Sequence, residues 1–160
     1  MVRSASAGWA PRPKYLIAEG DTYTKWPGDE TYPQLTVNCI KLDRVPLYNQ
    51  SWAPIVEGIR AGNFFGTTGE ILFHHWGVEK SGANSVYSAS IEYTFPLQFA
   101  ELVWSDGNHV ERKTINLADT LPFGTKEFRI PFDANGKKWI RFSVWDSAGD
   151  GAYVQPIALK

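Results

Sequence analysis

The chain has 160 residues, 43% hydrophobic and 21% charged, with 16 Lys and Arg against 17 Asp and Glu. That gives room for one domain, or one domain and a short extra element, with no need of a disulfide or a metal to fold. A net charge of −1 gives no basic footprint for nucleic acid. No apolar run approaches the roughly 18 residues of a membrane span, and the first ten residues lack the hydrophobic centre of a signal peptide. The chain therefore reads as soluble, with no membrane partner and an open compartment. The one cysteine, Cys39, sits between Val37 and Ile40 and reads as a buried, inert thiol.

Residues 1–34 are broken by Pro11, Pro13, Gly20, Pro27, Gly28 and Pro33, and only Tyr15 to Ala18 reads as a short strand. So long a loop-rich start is unusual for a self-contained domain and hints at truncation. Leu35 to Leu42 alternates like a strand. Ser51 is placed to cap a helix in which Trp52, Ile55, Val56 and Ile59 share a face; Pro54 falls in the first turn, and Gly62 stops it. Residues 1–62 thus form a loop-rich segment with one strand and one helix.

Beyond Gly62 the apolar period changes from 3.6 to 2. Residues 68–74, 86–95, 99–104, 110–117, 128–132, 139–145 and 152–159 read as seven strands, with an Asp106-Gly107 hairpin turn between the third and fourth. The expectation for 63–160 is an antiparallel β-sandwich, jelly-roll or Ig-like, in a mainly β chain. Its clearest strand is Trp139 to Trp145. Ile140, Phe142 and Val144 point one way; Trp139, Arg141, Ser143 and Trp145 point the other. Seven Trp, seven Tyr and nine Phe suit strands, but also suit a sugar-stacking surface. Trp139 and Trp145 flanking Arg141 on a wet face would make a binding platform; otherwise the helix or the N-terminal segment covers them.

The remaining polar candidates are scattered. His74 and His75 are adjacent, so on a regular strand they face opposite sides and do not chelate one ion from a single face. His109 follows the hairpin turn and reads as solvated. Asp146 and Asp150 bracket a Gly-rich turn that offers calcium two carboxylates, without the regular ligand spacing of a calcium loop or its closing Glu. A plain turn is the preferred reading, and no cofactor is expected. No nucleophile elbow, phosphate-binding loop, dinucleotide fingerprint or zinc-protease motif occurs.

Two passages carry a resemblance. Ile59-Arg-Ala-Gly-Asn-Phe-Phe-Gly-Thr-Thr-Gly69-Glu70 and Trp139-Ile-Arg-Phe-Ser-Val-Trp-Asp146-Ser-Ala-Gly-Asp-Gly-Ala-Tyr153 resemble the C-terminal part of PHP-type metallohydrolases. There a helix leaves an amidohydrolase-like barrel and enters a β-sandwich. The resemblance spans about residues 16 to 160 and sets Asp21 against the aspartate of the family's last metal-ligand motif. Tyr23 stands where that motif has His, and the strands with the other ligands are missing. One carboxylate does not assemble a multinuclear site. The resemblance therefore implies a non-catalytic accessory domain, either a tail freed from its barrel or a separately evolved relative of it. Its role would be contact with a partner domain or subunit, self-association, or substrate recruitment. A carbohydrate-binding module using Trp139, Arg141 and Trp145 is the alternative. A small stand-alone glycoside- or ester-cleaving hydrolase built from Asp21, Glu70 and His74 or His75 is the third.

Overall fold

The computed structural model describes residues 14–18, 36–81 and 84–159; Asp21 and Tyr23 lie outside them. Among these residues the order is β1 (Val37–Ile40), α1 (Ala53–Ala61), β2 (Phe64–Thr67), β3 (Ile71–Ser81), β4 (Asn84–Tyr93), β5 (Leu97–Ser105), β6 (Val110–Asn116), β7 (Gly124–Phe132), β8 (Trp139–Asp146), β9 (Gly151–Val154) and β10 (Ile157–Ala158). No helix among them is long and apolar enough to cross a membrane.

Two antiparallel sheets face each other. Sheet A runs β1-β2-β9-β8-β5-β6, with β10 also pairing β8; sheet B is β3-β4-β7. The sandwich read from the alternation is the observed architecture. Ile140, Phe142 and Val144 are fully buried, as their shared face requires. Phe142 is the keystone: its ring meets Phe73 of β3, Tyr87 of β4 and Phe128 of β7 at centroid distances of 6.2, 5.2 and 4.9 Å. One side chain from the middle of sheet A therefore touches all three strands of sheet B.

The details depart from the expectation in instructive places. Phe64–Thr67 forms an additional strand; all four residues are buried, so they carry no alternation of hydrophobicity to read. The last strand divides into β9 and β10 at Gln155-Pro156, where proline offers no ladder N–H. Tyr15 to Ala18 joins no ladder. Its bonds go to side chains instead: Leu16 N–H donates to Gln155 Oε1 (2.8 Å), and Ala18 exchanges two bonds with the Asn38 amide (2.8 and 2.7 Å). The helix begins one residue later than Ser51 implies: Trp52 is the N-cap, while the Ser51 hydroxyl accepts from Ala53 N–H (3.2 Å). Gly62 ends it as expected, at φ 73°. Cys39 is half-buried rather than buried, a free thiol whose pKa burial raises.

Sheet A is wider than sheet B. Its breadth is what creates surfaces with something left to bind.

Candidate binding face

The outer face of sheet A divides into a covered half and an open half. Cross-strand register builds it in rows. Asn38, Gly66, Tyr153, Ser143, Glu101 and Thr114 form the middle row; Gly151, Trp145, Phe99 and Asn116 form the row beside it.

Over β1, β2 and β9 the face is covered. Tyr15 meets Phe64 edge-on at 6.4 Å and its hydroxyl donates to Ala61 O (3.2 Å). Gln155, almost fully buried, holds Leu16 at both backbone groups (2.8 Å each). Helix α1 packs over β1 through Gly58: a Cβ there would come within 2.9 Å of the Ile40 methyl, so glycine allows the close approach.

The helix is covered on one flank only. Gly58 is buried and Ile55 and Ile59 are half-buried, while Trp52 and Val56, one turn apart on the adjoining flank, are 57% and 42% exposed. At 3.6 residues per turn, Gly58, Ile55, Ile59, Trp52 and Val56 span an arc of about 160°, wider than the strand edge beneath can bury. The loop leading into the helix adds Val45, Leu47 and Tyr48, all strongly exposed.

Over β8 and β5 the face is partly open: Trp145 keeps 37% of its surface exposed, while Ser143 of β8 and Val103 of β5 are buried. A Cβ on Gly151 would fall 2.5 Å from Trp145 Cε3, so the six-membered ring of the indole rests on the glycine backbone. Phe99, opposite Trp145 in register, has its ring centroid 6.4 Å away at an interplanar angle of 24°. The two rings make a nearly parallel pair on the open half. Tyr153 on Gly66 and Tyr93 on Gly124 repeat the aromatic-on-glycine contact across neighbouring strands. Phe99 was not legible as a binding residue; only the β5–β8 register shows it beside Trp145.

Arg141 is half-buried on this face, two residues from Ser143 and opposite Val103. At the edge Arg112 pairs with Glu101 at 3.5 Å. Trp139 is also half-buried, but six residues along an extended strand place it about 20 Å from Trp145. The two tryptophans are therefore too far apart to share one small ligand, whereas Trp145 and Phe99 lie side by side.

The other candidates fall on other parts of the sandwich. A bulge between Phe73 and His75 adds one residue to β3, so His74 and His75 are both exposed on the outer side of sheet B rather than on opposite faces. His74 Nε2 lies 3.2 Å from Glu92 Oε2. His75 Nε2 lies 3.3 Å from Ser88 Oγ, Ser88 donates to Glu79 Oε1 (3.0 Å), and Arg129 holds Glu79 Oε2 (3.2 Å). This group contains Ser, His and Glu, but in the wrong order for acyl transfer. The serine proton goes to the carboxylate, not to imidazole, and the carboxylate does not orient the histidine. Glu70 stands in the β2–β3 turn, where its carbonyl accepts from Thr94 N–H (3.1 Å). His109 is exposed beside Asp106 (3.4 Å), whose carboxylate also accepts from the 108 and 109 N–H groups and is held down to about 2 by them.

Asp146 is buried at the end of β8. Its Oδ1 accepts from Ala148 and Asp150 N–H (2.9 Å each), the geometry of a turn anchor. Its Oδ2 is buried without a protein partner, and burial raises its pKa. Asp150 is half-buried. Among the described residues no group of three or more His, Cys, Asp or Glu is placed to hold a metal.

Compared with known proteins, the chain matches no family model, and no curated protein or solved structure is significantly similar to it.

Proposed function

We propose that this chain is a non-catalytic β-sandwich accessory module, related to the C-terminal region of PHP-type metallohydrolases, that docks a partner domain through its strand–helix unit. The observation that carries the reading is the uncovered flank of α1. Trp52 and Val56 continue an apolar arc that the sheet only half covers, and Val45, Leu47 and Tyr48, in the loop that leads into the helix, are exposed as well. Exposed apolar side chains of this kind mark an interaction site, and a partly exposed tryptophan is a typical anchor for one. In the resembled architecture this helix is the element that joins sandwich to barrel, so a catalytic barrel is the fitting partner. The histidine and carboxylate pairs, spread over the outer side of sheet B and separate turns, support a scaffold role rather than a catalytic centre.

The test is co-elution in size-exclusion chromatography of this chain with a PHP-type barrel stripped of its own sandwich. The wild type is expected to co-elute, and the double variant Trp52→Ser, Val56→Ser is not. Separate elution of the wild type, or co-elution indifferent to the double change, sinks the proposal.

The Trp145–Phe99 pair favours a second reading, carbohydrate binding on the open half of the same face. Indole faces stack on the C–H faces of sugar rings, and half-buried Arg141 and the Glu101–Arg112 pair offer hydrogen bonds around them. Titration with soluble oligosaccharides should shift tryptophan fluorescence saturably in the wild type but not in Trp145→Ala. A flat titration of the wild type rules this reading out.

A further inference from the structure

Sheet A is six strands across along its main path and sheet B only three; of the inward side chains of β6, Ile115 packs against the core while Glu111 and Lys113 stay exposed. The space beside them is a cleft of about 260 Å³, open on one side, lined by Leu102 and Trp104 of β5, Glu111 and Lys113 of β6, the end of β7, and Lys137. The floor is apolar: Leu102 is fully buried, and Phe132 closes the β7 side. Its volume is below the roughly 300 Å³ at which drug-sized sites begin. The ligand it fits is small.

The charges in the cleft are not equivalent. Glu111 is fully committed: one carboxylate oxygen accepts from Trp104 Nε1 (2.8 Å) and the other from Lys137 Nζ (3.1 Å). Those two contacts, Lys137 first, hold the Glu111 carboxyl below its ordinary pKa. They also fix the indole and the ammonium, whose side chain is only 18% exposed. Asp133 accepts from Asn135 N–H (2.8 Å) through one oxygen, bracing the turn that carries Lys137. Lys113 forms no ion pair among the described residues. It sits on β6 in register with Leu102, one inward position from Glu111, with its ammonium uncommitted.

We infer that this inter-sheet cleft binds a small monoanion with a flat apolar body, its carboxylate on Lys113 and its body against Trp104 and Phe132. A dianion fits worse, because Glu111 and Asp133 line the same space and repel the second charge. A neutral analogue leaves Lys113 uncompensated. The site is independent of the helix flank and of the Trp145–Phe99 pair, so it stands or falls apart from both readings above.

The experiment uses the full chain, labelled with ¹⁵N, and phenylacetate as probe, with phenylacetamide and phenyl phosphate as comparisons. Phenylacetate is expected to shift amides of β5, β6 and residues 132–137 saturably, and to bind more tightly than either comparison. Lys113→Met, an exposed position whose spectrum itself reports folding, is expected to weaken phenylacetate about tenfold or more and leave phenylacetamide unchanged, since a charged hydrogen bond is lost. Four outcomes overturn the inference: no saturable shift up to the solubility of the probe, shifts centred on Trp145 and Phe99, phenyl phosphate binding more tightly, or Lys113→Met binding as the wild type does.

Discussion

On the inner face of sheet A, Ile140, Phe142 and Val144 are wholly buried, whereas on α1 the equally regular series Trp52, Ile55, Val56 and Ile59 is only half covered. Both segments announce an apolar face by their spacing. The strand finds a complete second sheet opposite it; the helix finds the edge of β1, a single strand of four residues. Periodicity states that a face wants burial, and the breadth of the opposing element decides whether burial happens inside the chain or against something else.

The contrast is broken most severely from the sandwich side. Phe142→Ala removes the ring that meets all three strands of sheet B and should cost about 3–5 kcal/mol in urea unfolding. A loss under about 1 kcal/mol would mean that the two sheets do not depend on this residue. Gly58→Val should cost less, about 1–3 kcal/mol, because the new side chain meets the Ile40 methyl and must lever α1 away from β1. Hydrogen exchange would show faster amides in 53–61 with β8 still protected; uniform acceleration through both would show that helix and sandwich unfold as one unit.

The acid limb sharpens the comparison within the sandwich itself. Asp146 has a raised pKa in the folded chain, chiefly from burial, so its ionisation opposes folding. Its favourable contribution is complete below the ordinary aspartate pKa and is lost as pH rises through the raised value. Asp106 is the opposite case: its folded value of about 2 gives stability present above the ordinary aspartate range and lost as pH falls toward 2. Asp146→Asn keeps an oxygen for the Ala148 and Asp150 amides and removes the buried charge. It should therefore gain stability relative to the wild type at neutral pH and lose that advantage near pH 3. Thermal melts across this range check the sign, and a difference independent of pH would contradict it.

The smallest stability effect belongs to the helix flank. Trp52→Ser with Val56→Ser should change unfolding by less than about 1 kcal/mol, as partly exposed positions do, yet it is the change expected to abolish docking. A large destabilisation would show that the flank already contributes to the fold of the isolated chain.

Much of the fold was legible because strands with one wet face print their geometry as alternation. Residues 139–145 are the plainest case. Phe64–Thr67 was missed because all four residues are buried, so Phe-Phe-Gly-Thr shows no alternation of apolar and polar positions. The histidine pair was misplaced because a bulge is one extra residue, and nothing in His74-His75 announces it. The candidate face was half legible. Trp145 and Arg141 follow from the alternation of β8, but Phe99 joins them only through antiparallel register with β5. The cleft beside Lys113 was not legible at all, since it is lined by β5, β6, the end of β7 and Lys137, which only the tertiary structure brings together.

The sequence by itself determined the class of the molecule, the inward and outward faces of its main strands, and the helix with its glycine stop. These are local matters, fixed by rotation per residue and by the backbone preferences of Gly and Pro. Only the tertiary structure decided which apolar faces were satisfied, which rings came together across strands, and that Lys113 forms no ion pair among the described residues. Those depend on pairings between residues far apart in the chain, such as Leu16 with Gln155 and Phe99 with Trp145, and no period in a single strand encodes its neighbour.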